Sequence, residues 1–283
     1  MDPELWQKSY PPGVAAEVEV PGGHLHELFE AAVARWGAQP LCDFLGRRFS
    51  YAEIGGLVDR AARGLQQRGV GEGVHVGLYL PNTPHYIVSF FAILKAGGTV
   101  VNFSPLYAER ELLHQIEDSE TELMITLDLA ALYPNLARVM PQSRLKLLIV
   151  GSLAEVLPFP KNYLFRLAKR KEIAAVPRDA AHLRFAELID NAGAPEPSAL
   201  GDPAEAVAVL AYTGGTTGVP KGAMLSHANL AASVAMSNQW IEGFLEEGKE
   251  RVLLVLPLFH IFALSSVMLA TVFRGGELIL HPR

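Results

Sequence analysis

Glycines, threonines and a lysine lie together in residues 213–221, which read TGGTTGVPK. The three glycines let the backbone turn so that its N–H groups can point inward and surround an anion. Threonine hydroxyls can donate to phosphate oxygens or coordinate Mg²⁺, and a lysine adds a point charge. The stretch follows the apolar run AVAVLAYT, which is typical of a buried strand. These residue types in this order predict a phosphate-binding loop.

The spacing excludes two common phosphate signatures. A Walker A loop needs its lysine directly after the last glycine, whereas Val219 and Pro220 separate Gly218 from Lys221. A dinucleotide-binding fingerprint begins G-x-G, and this stretch has no such start. A glycine-rich hairpin turn with solvated threonines is the alternative interpretation. The ten-residue pattern directly after a buried strand favours the phosphate site.

A second candidate is His260, in the run RVLLVLPLFH. It follows a predicted buried strand and Pro257, at the edge of an α/β sheet where ligands bind. The alternative is a histidine that only makes a hydrogen bond at a strand end. His227 is predicted to begin a helix, with Ser226 as its N-cap. The remaining histidines considered show no metal-ligand spacing: His24, His26 and His75.

Strand and helix patterns alternate along the chain. VHVGLYL (74–80) predicts a strand, Asn82 or Thr83 can cap a helix that reaches about residue 96, and TVVNF (99–103) predicts the next strand. A crossover of this length predicts parallel pairing. Further helices are predicted at ERELLHQIEDS, 129–139 and 227–244, and further strands at ELMITL, LKLLIV and AVAVLAYT. The fold class is therefore α/β, with repeated βα units forming mostly parallel sheets flanked by helices.

Composition and linker patterns predict a division into segments. We expect an N-terminal extension (1–24), a first α/β subdomain (25–150), a linker with a basic excursion (151–203) and the start of a second α/β subdomain (204–283). The excursion is proline-flanked and holds five basic residues: Lys161, Arg166, Lys169, Arg170 and Lys171. A solvated surface excursion is the preferred interpretation, and peripheral contact of 159–173 with an anionic membrane is the alternative.

Charge and composition exclude several protein classes. The 24 Lys+Arg and 30 Asp+Glu give a formal charge of −6, so we expect no nucleic-acid partner. The single cysteine, Cys42, excludes an intrachain disulfide and is consistent with a cytoplasmic location. The N-terminus does not match a secretory signal. Residues 252–273 carry no charged side chain, but Pro257 and His260 within them favour a strand, a loop and an apolar helix over a membrane span.

Four segments resemble the motifs of the adenylate-forming superfamily, which includes acyl-CoA synthetases, luciferases and nonribosomal adenylation domains. The phosphate-binding signature is YTGGTTGVPKGAMLSH, and the others, in the family's order, are FSYAEI, ILKAGGTVVNFSPLYAERELLHQIEDS and LPLFHIFAL. The resemblance extends from about residue 25 to residue 283 and is greatest to bacterial long-chain fatty acid–CoA ligases. Gly214 stands where many members have serine, which removes one hydroxyl from the loop.

The resemblance implies a reaction and a set of residue roles. A fatty acid carboxylate attacks the α-phosphate of ATP to give an acyl-adenylate and pyrophosphate, and the thiol of coenzyme A then takes the acyl group. The implied cofactors are ATP, Mg²⁺ and coenzyme A, with His260 near the acyl carboxylate and Thr217 as the Mg²⁺ contact. The implied nucleotide-binding residues are Tyr212, Thr213, Gly214, Gly215, Thr216, Thr217, Gly218, Lys221 and Gly222.

The family's later motifs have no match in the chain. The adenine-binding threonine–glutamate motif, the ribose-binding aspartate motif, the hinge and the C-terminal domain with its catalytic lysine are not found. The chain therefore resembles the N-terminal half of a ligase, and we expect the complete reaction to need the parent protein. Alternatives are a ligase for short or aromatic acids, a fatty acyl-AMP ligase, and a nucleotide-binding module without turnover. A homodimer is also left open.

Overall fold

The computed structural model describes residue 5 and residues 7–12, 14–213 and 220–282. Within these ranges the strands are β1 (Pro40–Phe44), β2 (Arg47–Ser50), β3 (His75–Leu78), β4 (Thr99–Asn102), β5 (Leu123–Leu127), β6 (Leu147–Gly151), β7 (His182–Arg184), β8 (Val207–Thr213), β9 (Lys221–Ser226), β10 (Arg251–Leu254) and β11 (Glu277–Leu280). The α-helices there are α1 (Leu25–Trp36), α2 (Tyr51–Gln66), α3 (Pro84–Lys95), α4 (Glu109–Asp118), α5 (Tyr133–Val139), α6 (Lys161–Ala168), α7 (Phe185–Leu188), α8 (His227–Ile241) and α9 (Ala270–Phe273). A π-helical stretch, Ala263–Leu269, runs directly into α9.

A seven-stranded sheet forms the centre of the fold, in the order β7-β6-β5-β3-β4-β8-β9. Its first six strands are parallel, and β9 runs antiparallel to β8. Every residue of β4 and β5 is buried, as expected for parallel strands covered on both faces. The predicted parallel pairing of β3 with β4 is confirmed, with His75 opposite Thr99. The predicted α/β class is also confirmed.

A second sheet has four strands in the order β10-β11-β1-β2. β10, β11 and β1 are parallel, and β1 and β2 form an antiparallel hairpin. Its turn places Leu45 at φ 54° and Gly46 at φ 98°, a region that favours glycine. Cys42, which is fully buried, lies opposite Leu278 of β11. The sequence pattern does not predict β1, β2 or β11, because all three strands are short and β1 pairs with β11 across most of the chain's length.

Helix α3 is buried on all sides except at its last residue. A helix that is apolar all round belongs in a core, and α3 contacts both α1 and α2. Its terminal Lys95 forms ion pairs with Glu30 and Asp59, each at 2.6 Å. Gly97 follows at φ 90° and ends the helix where the sequence predicts. The N-cap is Thr83, which leaves the side chain of Asn82 free for other contacts.

Several predicted elements have different bounds in the structure; for example, the helix predicted at 227–244 ends at Ile241. The helix expected over 129–139 begins at Tyr133, because the backbone before it bonds to another segment: Ala130 N–H donates to Glu172 O, and Ala174 N–H donates to Asp128 O. The strand expected at 252–256 is β10, which ends at Leu254. In the described part of the chain no helix is long and apolar enough to cross a bilayer. The 252–273 stretch divides into a strand, a turn and helical segments, as predicted.

The predicted subdomains share both sheets. Strands β8 and β9, from the 204–283 segment, extend the sheet that is built mainly from 25–150. Strand β11 pairs with β1, from the first segment, and β10 pairs with the other side of β11. Chain segments before and after the 151–203 excursion are therefore joined by strand pairing, and the division into domains stays a prediction.

Candidate functional site

The predicted phosphate loop connects two strands of one hairpin. Strands β8 and β9 are antiparallel, with Thr213 opposite Lys221 and Tyr212 opposite Gly222. The side chains of Thr213 and Lys221 are exposed at the mouth of the hairpin. Five predicted loop residues lie outside the described residues: Gly214, Gly215, Thr216, Thr217 and Gly218. The structure thus gives the two ends of the loop, at the carboxyl end of a parallel strand.

Tyr212 holds the mouth of the hairpin to the neighbouring helix. Its hydroxyl donates a hydrogen bond of 2.5 Å to Asp118 Oδ2, at the end of α4. Burial, and then the negative charge of Asp118, raise the pKa of the Tyr212 hydroxyl well above its usual range. The ring also packs against the backbone of Gly222, where an added Cβ would lie 3.0 Å from ring carbons. Glycine at position 222 therefore allows the tyrosine ring to lie flat across the hairpin.

His260 lies just beyond β10, at the start of the helical segment that follows it. Its backbone N–H donates to Pro257 O and its carbonyl accepts from Leu264 N–H, each at 3.0 Å. Its side chain is exposed, and its ring packs against that of Phe259 with 4.4 Å between centroids. The imidazole thus lies exposed at the entry to a helix, tilted by 39° against an aromatic ring.

Asn82 fixes the segment that carries His260. This buried side chain follows β3, and its amide nitrogen donates to Leu254 O at 3.3 Å and Leu256 O at 2.9 Å. Its carbonyl oxygen accepts from Leu258 N–H at 2.9 Å. One side chain therefore ties residues 254–258 to the carboxyl end of the central strand of the large sheet.

Tyr86 strengthens the same connection from the first turn of α3. Its hydroxyl lies 2.8 Å from Asn102 Oδ1 and 2.9 Å from Leu258 O, so its single proton serves one acceptor at a time. Asn102 ends β4, which pairs with β8. The carboxyl ends of β3, β4 and β8 and the segment before His260 therefore meet at one edge, where open α/β sheets bind ligands.

The sequence reasoning missed Asn82, Tyr86 and Asp118. Asn82 was considered only as a helix cap, although an asparagine directly after a buried strand is also a typical signal for a polar contact at a sheet edge. Tyr86 reads as one more apolar residue of α3, and Asp118 as one more acid of α4. Nothing in their sequence neighbourhoods indicates the distant partners Leu258 and Tyr212.

Three histidines come together beside α8: His227 and two that show no ligand spacing in the sequence, His24 and His26. The ring of His227 lies 4.9 Å from that of His24 and 6.4 Å from that of His26, centroid to centroid. His227 Nδ1 accepts from Leu25 N–H at 3.1 Å. Burial, followed by the neighbouring His24 and His26, lowers the pKa of His227 to about 3. His227 begins α8, as predicted, and is a buried neutral residue that joins α8 to α1.

At the hairpin, the described side chains suit a nucleotide with its metal. Lys221 offers a cation for phosphate, Thr213 offers a hydroxyl, and no described carboxylate pairs with Lys221. Phosphate oxygens together with hydroxyl and water ligands suit Mg²⁺, which rarely uses an all-protein cage. The donor set at the mouth of the hairpin is therefore compatible with a Mg²⁺-bound triphosphate.

Comparisons with known proteins identify the family of the chain. The family model described as AMP-binding enzyme matches residues 29–283. A long-chain-fatty-acid–CoA ligase of Bacillus subtilis is 34% identical over 98% of this chain and 50% of its own length. A protein of the same name from Escherichia coli O157:H7 is 34% identical over 99% of this chain and 51% of its own. The chain thus spans about half the length of the curated relatives it matches.

Solved structures show the same fold. A long-chain-fatty-acid-CoA ligase from Archaeoglobus fulgidus matches with a TM-score of 0.73 at 23% identity, covering 96% of this chain and 49% of that one. A red-emitting luciferase from Phrixothrix hirtus matches with a TM-score of 0.73 at 20% identity, covering 92% and 46%. Because the family model covers nearly the whole chain, the chain belongs to the AMP-binding enzyme family.

Proposed function

We propose that the chain is the N-terminal part of an ATP-dependent long-chain fatty acid–CoA ligase. The complete protein joins a fatty acid to ATP, releases pyrophosphate, and passes the acyl group to coenzyme A. The observation that carries the proposal is the phosphate hairpin, which lies at the carboxyl edge of the parallel sheet beside the fixed segment of His260. Identity of 34% to ligases of two bacteria, over nearly all of this chain, supports the same reaction class.

The hairpin would hold the phosphates that leave. When the carboxylate oxygen attacks the α-phosphorus, the bond from that phosphorus to the bridging oxygen breaks and negative charge grows on pyrophosphate. Lys221 supplies a cation, and Thr213, Thr216 and Thr217 supply hydroxyl donors to this charge. Bound Mg²⁺, for which Thr217 is the proposed contact, would neutralise part of the triphosphate charge.

His260 would orient the acyl carboxylate. Its imidazole edge faces open space while its backbone is fixed from both sides, by Pro257 and by Leu264. A nitrogen held at that position can donate to a carboxylate oxygen and align the other oxygen with the α-phosphorus. Because segment 254–258 is bonded to the central sheet and leads to His260, it would hold the reacting acid at a fixed position relative to that sheet.

The test is fatty acid-dependent exchange between ATP and labelled pyrophosphate in the complete protein. We expect exchange with acids of medium to long chain, and much weaker exchange with short or aromatic acids. Exchange with aromatic acids alone would show that the proposed reaction is correct and that its substrate is an aromatic acid rather than a fatty acid. The absence of exchange with every acid would overturn the proposal.

A second candidate function is a nucleotide-binding module without turnover, favoured by the half-length match to the relatives. The module makes a prediction that can be refuted on the isolated chain. The isolated 283-residue chain, with its fold checked by circular dichroism, should bind ATP weakly and form no acyl-adenylate if the module is correct. Detection of acyl-adenylate would exclude the module.

A further inference from the structure

Helix α6 presents apolar side chains to solvent. Tyr163, Leu164 and Leu167 lie on one stripe of the helix, and Leu167 is 79% exposed. The opposite face holds Phe165, which packs against the core. A surface helix of a globular protein normally has the reverse arrangement, with charge outside. The apolar stripe is therefore an unpartnered surface among the described residues.

Phe159 extends this stripe. It is 80% exposed, and its ring packs edge-on against that of Tyr163 with 6.1 Å between centroids. We define the α6 patch as Phe159, Tyr163, Leu164 and Leu167. Two aromatic rings and two leucines in one exposed cluster are the side chains that insert at the boundary between lipid headgroups and acyl chains.

Positive charge surrounds the α6 patch. Residues 159–173 hold five basic side chains and one acidic one, Glu172, in a chain whose formal charge is −6. Lys169 pairs with Glu172 at 2.6 Å, and Lys161 donates to Leu45 O at 2.8 Å. Arg166, Arg170 and Lys171 are exposed and make no ion pair with the described residues. Their charge is thus available to an external anionic surface.

The α6 patch is separate from the nucleotide hairpin. It lies in the connection from β6 to β7, at one edge of the seven-stranded sheet, whereas the hairpin lies at the other edge. Five strand spacings separate β7 from β8, which corresponds to about 24 Å. Changes in the α6 patch therefore leave the proposed phosphate and acyl residues untouched.

We propose that the α6 patch docks on an anionic lipid surface. The rings and leucines enter the interface while the surrounding arginines and lysines contact lipid phosphates. The positive charge around the α6 patch favours an anionic lipid surface over a purely apolar partner. Basic side chains complement anionic headgroups, whereas an apolar partner gains nothing from them. Each basic side chain near such a surface contributes on the order of 1 kcal/mol, or about 5-fold in affinity.

The test is cosedimentation of the full chain with vesicles of phosphatidylglycerol, and with vesicles of phosphatidylcholine. We expect binding to the anionic vesicles alone, weakened when the salt concentration rises. Replacing both Arg170 and Lys171 with glutamine should weaken binding about 25-fold, from two contributions of about 5-fold each. Leu167→Gln should weaken it about 10-fold, through loss of apolar burial.

Matched controls separate the α6 patch from general effects of charge and hydrophobicity. Leu106 is 87% exposed on another loop, and Leu106→Gln should leave vesicle binding unchanged. The double change of Arg110 and Lys249 to glutamine removes the same charge elsewhere and should have less than a 3-fold effect. Equal binding to both vesicle types would overturn the proposal, as would equal losses in the controls. Binding to nucleic acid or an acidic protein without any vesicle binding would assign the surface to that partner instead.

Discussion

Two segments meet at the candidate site, and they are held in different ways. The 254–258 segment is fixed by buried hydrogen bonds from Asn82 and Tyr86. The β8–β9 hairpin is held at its base by the pairing of β8 with β4, along its length by its own strand pairing and, at its exposed mouth, by the bond from Tyr212 to Asp118. The difference suits two tasks. In the function we propose, one segment would define where the acid lies, and the other would admit a nucleotide and release pyrophosphate.

The largest expected effect is on the fixed segment. Asn82→Ala removes three hydrogen bonds. Leu254 O still accepts from His281 N–H, whereas Leu256 O and Leu258 N–H lose the Asn82 partner. We expect the free energy of unfolding to fall by about 3 kcal/mol, measured in urea. Asn162→Ala is the control, because the Asn162 side chain only accepts from the next residue's N–H near the surface. A loss below about 1 kcal/mol for Asn82→Ala would show that the segment does not depend on it.

The hairpin should respond in catalysis. In the complete protein, Lys221→Ala should lower kcat/KM for ATP roughly 10- to 100-fold. The loss of one charge-assisted contact would cost about 1.5–3 kcal/mol of transition-state stabilisation. His260→Ala should affect kcat/KM for the fatty acid more than for ATP. Lys249→Ala, at an exposed lysine far from the sheet edge, is the control. Unchanged ATP kinetics for Lys221→Ala would show that the hairpin is only a turn and does not bind phosphate.

Low pH should destabilise the fold through His227, which directly follows β9 at the end of the hairpin opposite the loop. Because the pKa of His227 is about 3 in the folded protein and the ordinary value is 6.5, the folded state favours the neutral ring. Its contribution to stability is therefore complete above pH 6.5 and falls by about 1.4 kcal/mol per pH unit below it. The free energy of unfolding should be lower at pH 5.5 than at pH 7.5 by on the order of 1 kcal/mol from this residue.

His227→Asn is the matched variant for the acid effect. Asparagine can keep an acceptor for Leu25 N–H and cannot take up a proton. The variant should therefore lose about 1 kcal/mol of the pH dependence while keeping that hydrogen bond. His26, whose pKa burial also lowers, accounts for part of the remaining slope. An identical slope in the variant and the original protein would contradict the assignment.

The smallest effect is expected at the mouth of the hairpin. Tyr212→Phe keeps the ring against Gly222 and removes the bond to Asp118, so the free energy of unfolding should fall by only about 0.5–1 kcal/mol. The loss in kcat/KM for ATP should be smaller than that of Lys221→Ala. Tyr163→Phe, at an exposed hydroxyl, should change neither quantity. A larger effect of Tyr212→Phe than of Lys221→Ala would reverse the order of importance.

The sequence predicts local features of this comparison and misses the distant ones. The run into β8, the loop residues and the cap of α8 are all signalled by neighbours in sequence, and Ser226 does accept from Asn229 N–H at 3.2 Å. The fixed segment was predicted as a strand and a loop, but not its support. No pattern in the sequence around Asn82 or Leu256 indicates the hydrogen bond between them. The same reason explains why β1 and β11 were missed.

Cys42 gives the fold a chemical reporter of its own opening. It is the only thiol in the chain, it lies fully buried opposite Leu278 in the four-stranded sheet, and burial raises its pKa far above the usual range. The thiolate is the form that attacks an alkylating reagent, so the folded protein resists alkylation until that sheet separates. The rate at which the Cys42 sulfur is alkylated therefore measures how often β1 separates from β11.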